Sequence, residues 1–98
     1  MKLRWTERAR RDLVEIARYI ADDNPKAARR WIDVLRARAR SAVEFPLIGR
    51  VVPEMANEDL REILVGAYRI VYRVVGDAVV VVTVFEGHRR LDPDEIPK

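Results

Sequence analysis

Hydrophobic and polar positions divide the 98-residue chain into two regimes of period. From Leu60 to Glu86 the apolar residues fall into three runs, LREILV, YRIVYRVV and AVVVVTVFE, rich in β-branched and aromatic side chains. Two-residue breaks, Gly66-Ala67 and Gly76-Asp77, separate them. This predicts three consecutive antiparallel strands joined by tight turns, with glycine at the central position that needs φ > 0. In the middle run Tyr68, Ile70, Tyr72 and Val74 share one face while Arg69, Val71, Arg73 and Val75 share the other. One face therefore meets a core and the other is partly wet. The run from Ala78 to Phe85 is apolar on both faces, which predicts the central strand, covered on both sides.

The first half has helical periodicity. Lys2 to Trp5 alternates and predicts a short first strand. Thr6 is an N-cap candidate for a helix whose stripe is Ala9, Leu13, Ile16, Ala17 and Ile20, ending at Asp22-Asp23. Asn24-Pro25 predicts a second start, with Asn as cap and Pro at the first helical position. Its stripe is Ala28, Trp31, Ile32, Leu35, Ala39, Ala42 and Val43, and Pro46 stops it near Phe45. So short a link makes the helices an antiparallel hairpin that covers one face of the sheet. The expected fold is α+β: an N-terminal strand and a long α-helical hairpin packed on a small antiparallel sheet, order β-α-α-β-β-β. Residues 46–59 read as irregular. One domain spans 1–98, with residues 91–98 an acidic, proline-bearing surface tail.

Composition narrows the function classes. No cysteine is present, which excludes disulfides and thiolate metal sites, and no run approaches the length that spans a bilayer, so a soluble, cytoplasmic protein is expected. Basic residues are unevenly placed: residues 1–49 hold 12 Lys and Arg against 7 Asp and Glu, residues 50–98 hold 7 against 9. With a single histidine, a single serine and four scattered glycines, nucleotide-cradling, metal and serine-nucleophile chemistry have no support, and no cofactor or metal is expected. What remains is a polar cluster near the strands. Arg69 and Arg73 share a face, Arg61 on the neighbouring strand is free by its pattern to point the same way, and His88, Arg89 and Arg90 follow the third strand. Guanidinium groups beside one imidazole suit an RNA phosphate and acid–base work on a 2′-hydroxyl, with Glu54 or Glu62 as base. The competing reading is that these arginines pair with carboxylates on a solvated face. On the helices, Arg29 and Arg36 are candidate contacts for an acidic partner.

The order strand, helical hairpin, P-x-x-G-R (Pro46 to Arg50), L-R-E-I-x-x-G-x-Y-R-I-V-Y-R-V (Leu60 to Val74) and H-x-R-x-D (His88, Arg90, Asp92) resembles the RelE/ParE toxin superfamily of bacterial type II toxin–antitoxin systems. The resemblance implies a cytoplasmic toxin in a hetero-oligomer with a cognate antitoxin, whose C-terminal segment folds onto the helical hairpin and sheet. It implies one of two actions. ParE-like members, associated with plasmid stabilisation, inhibit DNA gyrase by binding; RelE- and YoeB-like members cut mRNA on the ribosome. The missing catalytic lysines and the absence of a tyrosine after the last strand favour the ParE-like branch. In the nuclease alternative Arg69, His88 and Glu54 would carry the chemistry.

Overall fold

The computed structural model describes residues 1–87 and residue 96. Its elements are β1 (Lys2–Trp5), α1 (Glu7–Ala21), α2 (Pro25–Glu44), β2 (Arg50–Val51), β3 (Arg61–Val65), β4 (Tyr68–Val75) and β5 (Ala78–Glu86). Both helix starts form as the capping residues dictate. The Ala9 N–H donates to Thr6 Oγ1 at 3.0 Å and the Ala27 N–H to Asn24 Oδ1 at 3.1 Å. Each bond satisfies one of the amides that a first helical turn leaves without a partner.

The strands form one sheet in the order β1-β5-β4-β3-β2. Both hairpins are two-residue turns with positive φ at the glycine alone, 56° at Gly66 and 59° at Gly76. A side chain at Gly66 would also strike the Trp31 ring, 2.6 Å from where its Cβ would stand. Three features go beyond the sequence reading. β1 lies parallel to β5, so the sheet is mixed. A two-residue strand, β2, pairs with β3 within the expected loop. The middle position belongs to β4, with β5 interior beside it.

The β4–β5 register shifts at Val71/Tyr72: Val71 faces Thr83 and Tyr72 faces Val81, so Val82 is an extra residue, a bulge. Helix α1 supplies the bonds that this bulge needs. Thr6 Oγ1 donates to the Val82 carbonyl at 2.8 Å, and Asp12 Oδ2 accepts from Thr83 Oγ1 at 2.5 Å and from the Val84 N–H at 3.0 Å. Asp12, which the helical pattern assigns to the solvated face, therefore bonds to the sheet.

The hairpin packs where expected. Leu13, Leu35, Ala39 and Ala42 meet Ile63, Ile70, Tyr72 and Val79 in the main core, with Trp5 and Trp31 packed at its margin. The opposite face holds a smaller core of Val52, Leu60, Val71, Val82 and Phe85. Met55 and Ile96 pack on it, so the tail touches the fold at Ile96 rather than running free there.

Candidate functional site

On that second face the pleat sets Glu62 opposite Val71 and Leu64 opposite Arg69. Arg69 is buried, and its guanidinium is gripped from two sides. Nη1 and Nη2 donate to Glu54 Oε2 and Oε1 at 2.8 and 2.5 Å, a fork-on-fork pair. Nε donates to Glu62 Oε1 at 2.8 Å, and Nη2 reaches the same oxygen. The guanidinium carbon stands 4.9 Å from the centre of the Phe85 ring, a cation–π position. The other oxygen of Glu62 accepts from Arg50, Nε and Nη2 both at 2.7 Å. The Glu62 side chain has no solvent exposure, whereas 57% of the Arg50 side chain is in water. A carboxylate buried so deeply needs charge-assisted partners on both oxygens, and the two arginines supply them. The hydrogen bonds that Arg69 donates to Glu54 raise its pKa above its ordinary value, against the lowering effect of burial, and Glu62 adds to the rise. The result is a chain of alternating charge, Arg50–Glu62–Arg69–Glu54, in which two cations meet two anions.

A second polar knot lies at the other end of β4. The buried Tyr72 hydroxyl donates to the Pro46 carbonyl at 2.7 Å and accepts the Gly49 N–H at 2.9 Å. Arg61 Nη1 donates to the Gly49 carbonyl at 2.8 Å. Burial raises the Tyr72 pKa, with the Gly49 amide and Arg61 pulling it back. Gly49 sits so close that an added Cβ would stand 2.7 Å from both the Glu62 carbonyl and the Tyr72 ring. The P-x-x-G-R stretch is thus a clamp: Pro46 and Gly49 hold Tyr72, and Arg50 holds Glu62.

The structure brings Glu54 and Arg69 into direct contact and leaves Arg73 half-buried on the same face of β4. Arg61 is a correction. It pairs with Tyr72 and therefore points to the helix side, away from Arg69. Arg29 and Arg36 line a groove between the helices, with Arg18 and with Ala17, Ala28 and Ile32 at its base. His88, Arg89 and Arg90 lie outside the described residues. Among the described residues no group of His, Cys, Asp or Glu is placed to hold a metal, and no helix is long and apolar enough to cross a membrane. Sequence reasoning missed Arg50, visible only as a letter of a motif because β2 is too short to show a period, and the hydroxyl bonds of Tyr72, which alternation places only on the core face.

Residues 3–91 match the family model described as the ParE toxin of the type II toxin–antitoxin system parDE. Among curated relatives, Toxin RelE3 of Caulobacter vibrioides is 36% identical over 78 residues, covering 76% of this chain and 80% of the relative. Among solved structures, a chain of the chromosomal ParDE toxin–antitoxin system of P. aeruginosa superimposes with a TM-score of 0.73 at 19% identity, covering 88% of this chain and 95% of that one. A chain of the RelBE2 toxin–antitoxin complex of Mycobacterium tuberculosis gives 0.63 at 24% identity, covering 87% and 95%. Names of both branches occur among these matches: the family model and the curated relative are named as toxins, and the two structures as toxin–antitoxin assemblies. The chain belongs to the RelE/ParE toxin superfamily, matching its ParE toxin family, and is the toxin component of a type II toxin–antitoxin system.

Proposed function

We propose that this toxin acts in the cytoplasm by binding and inhibiting DNA gyrase, and that it does not cut RNA. One observation carries the reading: Arg69, the guanidinium best placed to hold a phosphate, is buried and matched by Glu54 and Glu62. Among the described residues, a phosphate arriving there meets two cations already matched by two anions and would have to displace a bidentate carboxylate. Purified gyrase tests this. Inhibition of supercoiling at micromolar toxin is expected, and none at that concentration contradicts it.

The contact between Arg69 and Glu54 keeps a second reading in play, a ribosome-dependent mRNA endoribonuclease using Arg69, His88 and Glu54. In that case His88→Ala abolishes codon-positioned cuts, and full toxicity of the variant rules it out.

Neutralisation is assigned to a cognate antitoxin, as in the toxin–antitoxin complexes to which the fold is similar. The groove between α1 and α2 suits a segment with apolar side chains for Ala17, Ala28 and Ile32 and carboxylates for Arg18, Arg29 and Arg36.

A further inference from the structure

The turn from Phe45 to Ile48 combines exposed side chains with a fixed backbone. Phe45, Leu47 and Ile48 are 60%, 73% and 50% exposed. Their backbone is nevertheless tied at successive points. The Phe45 N–H donates to the Ser41 carbonyl at 2.9 Å and the Ile48 N–H to the Phe45 carbonyl at 3.0 Å. Tyr72 grips Pro46 and Gly49 on either side of Leu47 and Ile48, and Arg61 holds the Gly49 carbonyl. Solubility alone favours polar residues on such a turn, since each large apolar side chain left in water forgoes the gain of burial. Fixing the backbone in advance removes the ordering penalty that a flexible loop incurs on binding. Three apolar side chains on a rigid mount are the anatomy of an interface centre.

The surroundings define what would cover it. Leu47 borders a depression formed with Pro46, Val74, Glu58 and Asp59. Two carboxylates and one guanidinium, Arg61, thus rim an apolar centre; Arg61 is anchored on the neutral Gly49 carbonyl, and the balance of the rim is acidic. An acidic rim repels a phosphate backbone. It fits a protein surface whose apolar pocket is ringed by lysine or arginine. The groove between the helices has the opposite sign, with Arg18, Arg29 and Arg36 at its edge. Two surfaces of opposite charge suit two different partners.

We propose that the Phe45–Ile48 turn is the element with which the toxin grips its protein target, through apolar insertion and an acidic rim, on a surface separate from the one its antitoxin covers. The assignment rests on the reading that the target is a protein. The test uses Leu47→Asp, an exposed position, in three measurements: thermal melting, antitoxin affinity by calorimetry and supercoiling by purified gyrase. The expected result is a half-inhibitory concentration raised by about tenfold or more, with melting temperature unchanged and antitoxin Kd within about twofold of wild type. Asp59→Lys reads the rim independently and should raise the same concentration severalfold. A Leu47→Asp variant that inhibits gyrase like wild type, or one that loses the antitoxin instead, overturns the proposal. If wild-type toxin leaves gyrase untouched, the gyrase reading fails, and growth arrest decides on the turn. Arrest lost with antitoxin binding kept upholds it; arrest or mRNA cutting at the wild-type level overturns it.

Discussion

The two faces of the sheet are held by different forces, and the difference explains why the charged residues of this chain resemble a catalytic set. Under the helices the core is apolar: Leu35, Ala39 and Ala42 from α2 close over Ile63, Ile70 and Val79. Burial there is non-directional and roughly proportional to area, so volume-conserving exchanges are tolerated. Among the described residues the other face has no helix over it. Its apolar cluster is small, and the charge chain Arg50–Glu62–Arg69–Glu54 binds the loop between β2 and β3 to the strands. A buried ion pair adds little net stability over a well-packed apolar pair, but removal of one partner strands the other. One face is therefore robust to substitution and the other brittle.

That contrast is broken most forcefully at Arg69. Arg69→Met leaves the carboxylate of Glu62 buried without its inner partner and should lower the unfolding free energy by about 3–5 kcal/mol. Leu35→Met, equally buried on the helix side, should lower it by less than about 1.5 kcal/mol. Urea denaturation of both variants measures the gap, and equal losses would mean that the two faces do not differ as described.

A smaller effect is expected at the Tyr72 knot. Tyr72→Phe removes the donor to the Pro46 carbonyl and the acceptor for the Gly49 amide, a loss of about 1–3 kcal/mol. It also has a pH signature. Burial holds the folded Tyr72 pKa above its ordinary value of 10.0. The stabilisation from the neutral phenol is therefore complete below about pH 10 and is lost as pH rises through the folded value. Urea midpoints should fall more steeply for wild type than for Tyr72→Phe between about pH 9 and pH 11. Tyr68, also raised by burial and by the charges of Glu86 and Tyr19, remains in both proteins and cancels in the comparison.

Much of this architecture is legible in the residues because local signals agree with the global fold. Asn24-Pro25 starts α2, Pro46 ends it, and Gly66 and Gly76 turn the strands where alternation breaks. The face of Arg61 was legible too. The Gly66 turn pairs Val65 with Tyr68, and counting back by twos from Val65 puts Arg61 with Tyr72, not with Arg69. Other features left no local trace. A strand of consecutive valines has no alternation to show that Val82 is an extra residue, and the carboxylate that serves the bulge, Asp12, comes from a helix about seventy residues earlier in the chain. The parallel pairing of β1 with β5 joins the two ends of the fold through backbone bonds between distant residues, such as Lys2 N–H to the Asp77 carbonyl, which no local pattern encodes. At the candidate site, the types of residue were readable but their mutual pairing was not, since ion pairing depends on distances of a few ångströms that spacing does not encode.

The most direct test is a double-mutant cycle on Arg69 and Glu62, using Arg69→Met, Glu62→Gln and the pair, read in unfolding free energy and in growth arrest. If the pair holds the open face together, the double variant is less destabilised than the two single losses combined, with a coupling of about 1–3 kcal/mol. Additive losses to within about 0.5 kcal/mol, with growth arrest abolished in stably folded Arg69→Met, would contradict it and hand the guanidinium to RNA chemistry.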